Sequence, residues 1–296
     1  MKQPLKRLQT TQLDLAYLDV GDPNGKPVVL LHGWPDDPTT WNPVTAELTK
    51  RGCRLVIPYL RGFGPTRFLA SASSKSGQLA ALGHDAIELT ERLGLKRFVL
   101  IGHDWGARAA YILAALHPER VQGLLTLSVG YGTNDPRQKI AYAQARNYWY
   151  HWFFATPRGK AAVESDRREL CRFLWRTWSP NWHFTDKEFE ETATSWKNPD
   201  WAEVTLHSYQ HRWGQAAGDE RYRQLEEKMA QSPKIHVPAI LIQGTEDGAN
   251  LPETSEGKDH FFTAGYRYLL VKAGHFIQRE EPQSVIGAAL ELLSAR

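Results

Sequence analysis

Hydrophobic residues in this chain come in short unbroken runs, set between longer stretches where apolar positions recur every three or four residues. The runs are PVVLLHG (27–33), CRLVIPY (53–59), RFVLIGH (97–103), GLLTLSVG (123–130), PAILIQG (238–244) and YRYLLVK (266–272). Four to eight apolar residues bounded by turn formers fit a strand covered on both faces, the habit of parallel sheets. The intervening TWNPVTAELTKRG, QLAALGHDAIELTERLGL and GARAAYILAALHPERV, and the closing EPQSVIGAALELLSAR, carry helical spacing. This alternation predicts an α/β fold built on a mainly parallel, doubly wound sheet. The opening TQLDLAYLDVGDPNGKP alternates apolar with polar and ends in turn residues, which suits antiparallel edge strands.

The rhythm stops over residues 135–233, which hold no convincing strand and eight of the eleven tryptophans. An inserted helical cap is expected there, with 1–134 and 234–296 forming the core domain. Trp149, Trp152, Trp175, Trp178, Trp182, Trp196, Trp201 and Trp213 fit the cap's own core, and a few of them fit the wall of a cavity for a small apolar molecule.

Composition narrows the function classes. The net charge is +3 and the basic residues are scattered, so nothing implies a nucleic-acid partner. Cys53 and Cys171 stand far apart, with no cysteine or histidine at metal-ligand spacing, so free thiols in a reducing compartment and no metal are expected. MKQPLKRLQTTQ lacks the apolar centre of a signal peptide, and no segment approaches the roughly 18 apolar residues of a membrane span. The expectation is a cytoplasmic protein without membrane partners, for which a homodimer is allowed.

Residues able to do chemistry fall at the ends of the apolar runs. In Gly102-His103-Asp104-Trp105-Gly106, glycines stand two positions either side of an aspartate, as a sharp strand-to-helix turn requires. Such a turn lifts Asp104 above the sheet edge and aims the N–H of Trp105 into the same space, although an N-cap aspartate would read the same from this motif alone. Asp247 follows the run ending at Gly244, and His275 follows the one ending at Lys272. Acid, acid and histidine thus leave adjacent strand ends on one edge. His32-Gly33-Trp34-Pro35 follows another strand, and the Trp34 N–H there is a second donor for an oxyanion. His32 and His103 read as structural histidines.

HGWP, RGFG, GHDWGAR, GTEDG and AGHF, in this order and with the cap inserted after residue 130, resemble the α/β-hydrolase superfamily. The resemblance is to its branch with an aspartate nucleophile: epoxide hydrolases, haloalkane dehalogenases and haloacetate dehalogenases. It implies an ester formed on Asp104 and hydrolysed by water that His275 activates while Asp247 orients it, with Trp34 and Trp105 as oxyanion donors. A carboxylate, with an ordinary pKa of about 3.9, is already ionised at pH 7 and needs no base to attack saturated carbon. No metal or cofactor is implied. Asp247 matches the pattern Gly-x-x-Asp in Gly244-Thr245-Glu246-Asp247, and Asp135, after Asn134, is the alternative acid.

The substrate stays open between two readings. Epoxide hydrolases use two cap tyrosines to protonate the leaving alkoxide. Tyr209 fits the second, while the first falls among Tyr148, Tyr150 and Trp152, and the best-matching register puts Trp152 there. YHWFF is similar to haloacetate dehalogenases, where His151, Trp152 and Tyr209 would cradle a halide. Those enzymes also clamp a carboxylate with two arginines, and only Arg108 matches, because Trp105 occupies the other position. Trp34 before proline follows the epoxide-hydrolase habit. The expectation is an epoxide hydrolase acting on a largely apolar small molecule. A dehalogenase is the alternative, and a non-catalytic ligand sensor a distant one.

Overall fold

The computed structural model describes residues 5–71, 73–133 and 138–295. Among them the strands are β1 (Leu5–Gln9), β2 (Leu13–Gly21), β3 (Lys26–Leu31), β4 (Cys53–Pro58), β5 (Arg67–Phe68), β6 (Phe98–His103), β7 (Val121–Leu127), β8 (Ala239–Gly244) and β9 (Tyr266–Val271). They form one sheet in the order β1-β2-β4-β3-β6-β7-β8-β9, with β5 paired to β2. From β4 to β9 every pairing is parallel, and β1 and β2 are the antiparallel edge that the opening alternation predicts.

The unbroken apolar runs follow from the sheet being covered on both faces. In β3, Val29 and Leu31 enter one core while Val28 and Leu30 enter the other, all four without solvent exposure. Each such side chain contributes roughly 1.5–3 kcal/mol on burial. Helices α1 (Asn42–Lys50), α2 (Leu79–Arg92) and α3 (Trp105–Leu116) cover the N-terminal half of the sheet. Val44 and Leu48 of α1 close one face, and Leu82 and Leu89 of α2 with Ala110 and Leu113 of α3 close the other. β9 departs from the expectation of a strand buried on both faces: it is the sheet's edge, and Leu270 is 51% exposed.

Between β7 and β8 the chain is helical: α4 (Tyr142–Asn147), α5 (Trp149–Phe153), α6 (Pro157–Ser165), α7 (Arg167–Trp178), α8 (Asp186–Ala193), α9 (Trp201–Arg212) and α10 (Arg223–Ala230). Trp175, Trp178, Trp196 and Trp201 are buried there and continuous with the core under α2 and α3, whereas Trp149 and Trp152 are exposed. After β9, α11 (Ile277–Glu280) and α12 (Pro282–Ser294) close the face shared with α1. No helix among the described residues is long and apolar enough to cross a membrane. Cys53 and Cys171 are free and buried.

Candidate active site

Asp104 sits between the last residue of β6 and the first of α3 with φ 48° and ψ −112°. A non-glycine residue at positive φ stores about 1–3 kcal/mol of strain, and the surrounding turn holds it there. A side chain on Gly106 would meet the Leu31 carbonyl oxygen at 2.1 Å, and one on Gly33 would meet the Asp104 Cβ at 2.5 Å. The two glycines therefore let β3, its following loop and α3 close around the carboxylate. The N–H of Trp34 donates to Asp104 Oδ1 at 2.9 Å, leaving Oδ2 facing His275 Nε2 at 3.9 Å. The N–H of Trp105, at the first position of α3, has no acceptor within its own helix.

His275 follows β9 and is fully buried. Its Nδ1 lies 3.1 and 3.0 Å from the two oxygens of Asp247. A carboxylate accepts, so Nδ1 carries the proton and Nε2 presents a lone pair toward Asp104. Burial works against the imidazolium, but the charge and hydrogen bonding of Asp247, with Asp104 behind them, raise the His275 pKa above the usual value. Asp247 is held in turn by Gln243 Nε2 at 3.0 Å and by the N–H groups of Ala249 and Asn250. One detail differs from the sequence reading: β7 separates β6 from β8, so Asp104 and Asp247 do not leave neighbouring strands.

The cap supplies an aromatic wall opposite Asp104. Tyr150 stacks on Trp34, with ring centres 6.0 Å apart and planes at 9°, and its ring lies 5.3 Å from that of Tyr209. Tyr209 in turn lies 5.2 Å from Trp34 and 5.7 Å from Trp105. Both phenols are pushed well above their ordinary pKa, chiefly by burial; after it the charge of Asp104 leads for Tyr209, and for Tyr150 the Tyr209 phenol precedes Asp104. The other cap residues divide. Tyr148 donates its hydroxyl to Asn250 Oδ1 at 2.6 Å. His151 is buried and accepts from Trp213 Nε1 through Nδ1 at 3.1 Å. Trp152 is not part of the wall. It is 36% exposed and packs on Trp213, because it lies two residues and about 200° around α5 from Tyr150.

Arg108, one turn beyond Asp104 on α3, is buried and donates to Thr133 Oγ1 at 3.1 Å. It borders a cavity of about 410 Å³ with Tyr111, Tyr131 and Met229, which Asp104 does not line. The alternative acid Asp135, with Asn134, lies outside the described residues, and Glu246 points elsewhere, accepting from Asn181 Nδ2. His32 bridges the Gly33 carbonyl and the Leu60 N–H, and His103 Nε2 donates to the His275 carbonyl, so both histidines hold loops. Burial, then the neighbouring His275, takes the His103 pKa down to about 3, which keeps it neutral.

Three supports of the site have no motif in the sequence. Ser179, after α7, accepts from the His275 N–H at 2.8 Å and donates to Glu280 Oε1 at 2.6 Å, and Glu280 also accepts from the Gly274 N–H. Gln243 pins Asp247. Ser179 is 96 residues from His275, so local spacing carries no signal for the pairing.

A sharp strand-to-helix turn with an acid at its apex, an acid–histidine pair from two later strands and a helical insertion together define a hydrolase architecture. The model for the alpha/beta hydrolase fold matches residues 26–282, and the chain belongs to that family. It is 25% identical to epoxide hydrolase A of Mycobacterium tuberculosis over 99% of this chain and 98% of that protein. It is 30% identical to a fluoroacetate dehalogenase of Burkholderia sp over 62% of this chain and 64% of that one. A crystal structure of a candidate epoxide hydrolase from Klebsiella pneumoniae superposes with a TM-score of 0.91 at 34% identity, covering 97% of this chain and 96% of that one. Within the family, this protein is a hydrolase of the epoxide hydrolase and dehalogenase-like branch.

Proposed function

We propose that this hydrolase opens epoxides to vicinal diols through an ester on Asp104. The pairing of Tyr150 with Tyr209 across from Asp104, while Trp152 lies at the surface, is the observation that carries this reading. Asp104 Oδ2 attacks an epoxide carbon, the C–O bond breaks, and one phenol hands its proton to the departing oxygen while the other donates a hydrogen bond. Asp104 Oδ1, already against the Trp34 N–H, becomes the ester carbonyl oxygen. His275 Nε2 then takes a proton from water, which attacks that carbonyl. The tetrahedral oxyanion is held by the amides of Trp34 and Trp105. Collapse expels the diol's second oxygen, which takes the proton held on His275, and the other proton of the attacking water leaves the Asp104 carboxyl to restore the phenol, returning the carboxylate as the diol departs.

The cap over residues 135–233 acts in this scheme as a separate domain that brings the acids to the nucleophile. A second reading, carbon–halogen cleavage, draws on Trp105 Nε1, which is buried near the Tyr209 hydroxyl with no well-aligned acceptor among the described residues and would suit a halide. A parallel screen separates the two. Styrene oxide and alkyl epoxides should yield diol, while 1-bromobutane and fluoroacetate release no halide above background. In heavy-oxygen water, repeated turnover should place label in the peptide containing Asp104. Label only in the diol from the first cycle would mean direct attack by water.

A further inference from the structure

The end of the cap helix α7 touches both loops that carry the acid–histidine pair. The last carbonyls of a helix have no partner within it, and that of Trp178, the final residue of α7, takes two from outside. It accepts the Gly248 N–H at 3.0 Å and the His275 N–H at 3.1 Å. One cap carbonyl thus joins the residue after Asp247 to the base itself. Two glycines allow the approach: a side chain on Gly248 would meet the Thr177 carbonyl oxygen at 2.1 Å, and one on Gly274 would meet the Ser179 Cα at 2.4 Å.

The next residue tightens the join. Ser179 Oγ accepts the N–H groups of His275 and Phe276 at 2.8 and 3.2 Å and donates to Glu280, whose other oxygen accepts the Gly274 N–H at 2.9 Å. Three consecutive amides of the histidine loop therefore end on one serine–carboxylate pair. The core grips the loop from the opposite side, where the His275 carbonyl accepts from His103 Nε2 at 2.9 Å and Ser128 Oγ at 2.7 Å. The Trp178 ring, 5.0 Å from that of His275, adds a wall on the cap side. Misplacing a reacting group by about 1 Å can cost about 10²-fold in rate, so whatever fixes this backbone bears on the base.

We infer that Trp178 and Ser179 at the end of α7, with Glu280, are the positioning element of the base, so that hydrolysis of the ester depends on them and its formation does not. The inference rests on the two-step reading above, in which Asp104 attacks without a base and only water needs His275. Single-turnover stopped-flow fluorescence with styrene oxide separates the steps. In S179A, ester formation should stay within about threefold of the wild type while hydrolysis slows at least about tenfold, part of the 10²–10⁴ that a general base supplies. E280Q, which keeps the shape but loses an acceptor, should slow hydrolysis at least about threefold. Ester should then accumulate by intact mass, and kcat and KM should fall together with kcat/KM unchanged. T177A is the control, because that hydroxyl bonds only carbonyls of its own helix.

Equal losses in both steps, a lower kcat at unchanged KM, an equal loss in T177A, or wild-type hydrolysis in both S179A and E280Q would overturn the positioning role. A second arm needs no substrate. The His275 Nδ1 proton, held against Asp247, should give a far-downfield proton resonance that is absent in H275Q and broadened in S179A by faster exchange with water, with near-ultraviolet dichroism unchanged. The same resonance, equally sharp in S179A, would sink the inference and leave the epoxide reading intact. A resonance broadened in S179A, in an enzyme whose wild type forms no ester, would do the reverse.

Discussion

Removing one hydroxyl from the cap should slow the first half of the reaction and leave the second untouched. Tyr150→Phe and Tyr209→Phe keep the rings that pack on Trp34, so neither fold nor pocket shape should change. Tyr150 and Tyr209 are 4% and 1% exposed, which places the departing alkoxide among buried donors where water cannot substitute for a missing one. A donor aimed at developing negative charge in such a site is worth roughly 2.7–4 kcal/mol, or about 10²–10³ in rate. Each single variant should therefore lose about a hundredfold in kcat/KM for styrene oxide, and the double variant more than either. Stopped-flow tryptophan fluorescence, reporting from Trp34 and Trp105, should show slow ester formation with no accumulation. Trp152→Phe is the control, and should stay within about threefold because its ring lies outside the wall. If Tyr150→Phe stays within threefold of the wild type while Trp152→Phe falls a hundredfold, the assignment of the acids is wrong and the halide reading gains.

The other expectations concern the base and the ion pairs around it. His275→Gln should form the ester and fail to release it, so intact mass should rise by the mass of the epoxide; an unmodified enzyme after prolonged incubation would contradict the two-step scheme. Since Asp104 helps raise the His275 pKa, and its charge disappears in the ester, the acid limb of kcat should lie at lower pH than that of kcat/KM. Coincident limbs would separate His275 from the ester step. Asp37, fully buried beside Asp36, has its pKa raised to about 6, chiefly by burial and then by Asp36. A folded pKa above the unfolded value means stability present below about pH 4 and lost as pH rises through 6, by at most about 3 kcal/mol. Asp37→Asn should flatten that loss in urea melts between pH 4 and 8, and an unchanged slope would show that Asp37 stays protonated or finds other compensation.

The parts legible in the sequence are those whose physics is local. Val28–Leu31 and Phe98–Ile101 must be apolar throughout because both sheet faces are covered, Gly106 must be small for α3 to approach β3, and Gly102 must be small for α3 to turn back against β6. Asp104, Asp247 and His275 each stand just beyond a strand, so the turn chemistry marks them. β9 misled because the run YRYLLV looks like any buried strand, while its position as the last strand added to the sheet is a matter of topology. Ser179 left no trace because its bonds reach 96 and 101 residues along the chain, and Glu280 and Gln243, though they bond Gly274 and Asp247 nearby, left none because a lone glutamate or glutamine carries no periodic signal.

The sequence left the first of the proposed cap acids open among Tyr148, Tyr150 and Trp152 for a different reason. In NYWYHWFF nearly every position is aromatic, so the usual contrast between an apolar inner face and a polar outer one is missing. Only the helix phase can then say which ring turns inward, and α5 has five residues, too few for a pattern to establish it. The structure sets the phase through Tyr150 and Phe154, four apart and 4% and 0% exposed, leaving Trp149 and Trp152 on the outside at 38% and 36%. A slip of two residues would have exchanged a phenol for an indole opposite Asp104. A phenol can donate a proton to an alkoxide at little cost, whereas an indole N–H can only hydrogen-bond a halide that leaves already as an anion. On the proposed mechanism, the choice between the two chemistries on one core rests on the rotation of a single short helix. That rotation is fixed by packing against Trp34 and Trp178, two rings that lie far from α5 in the sequence.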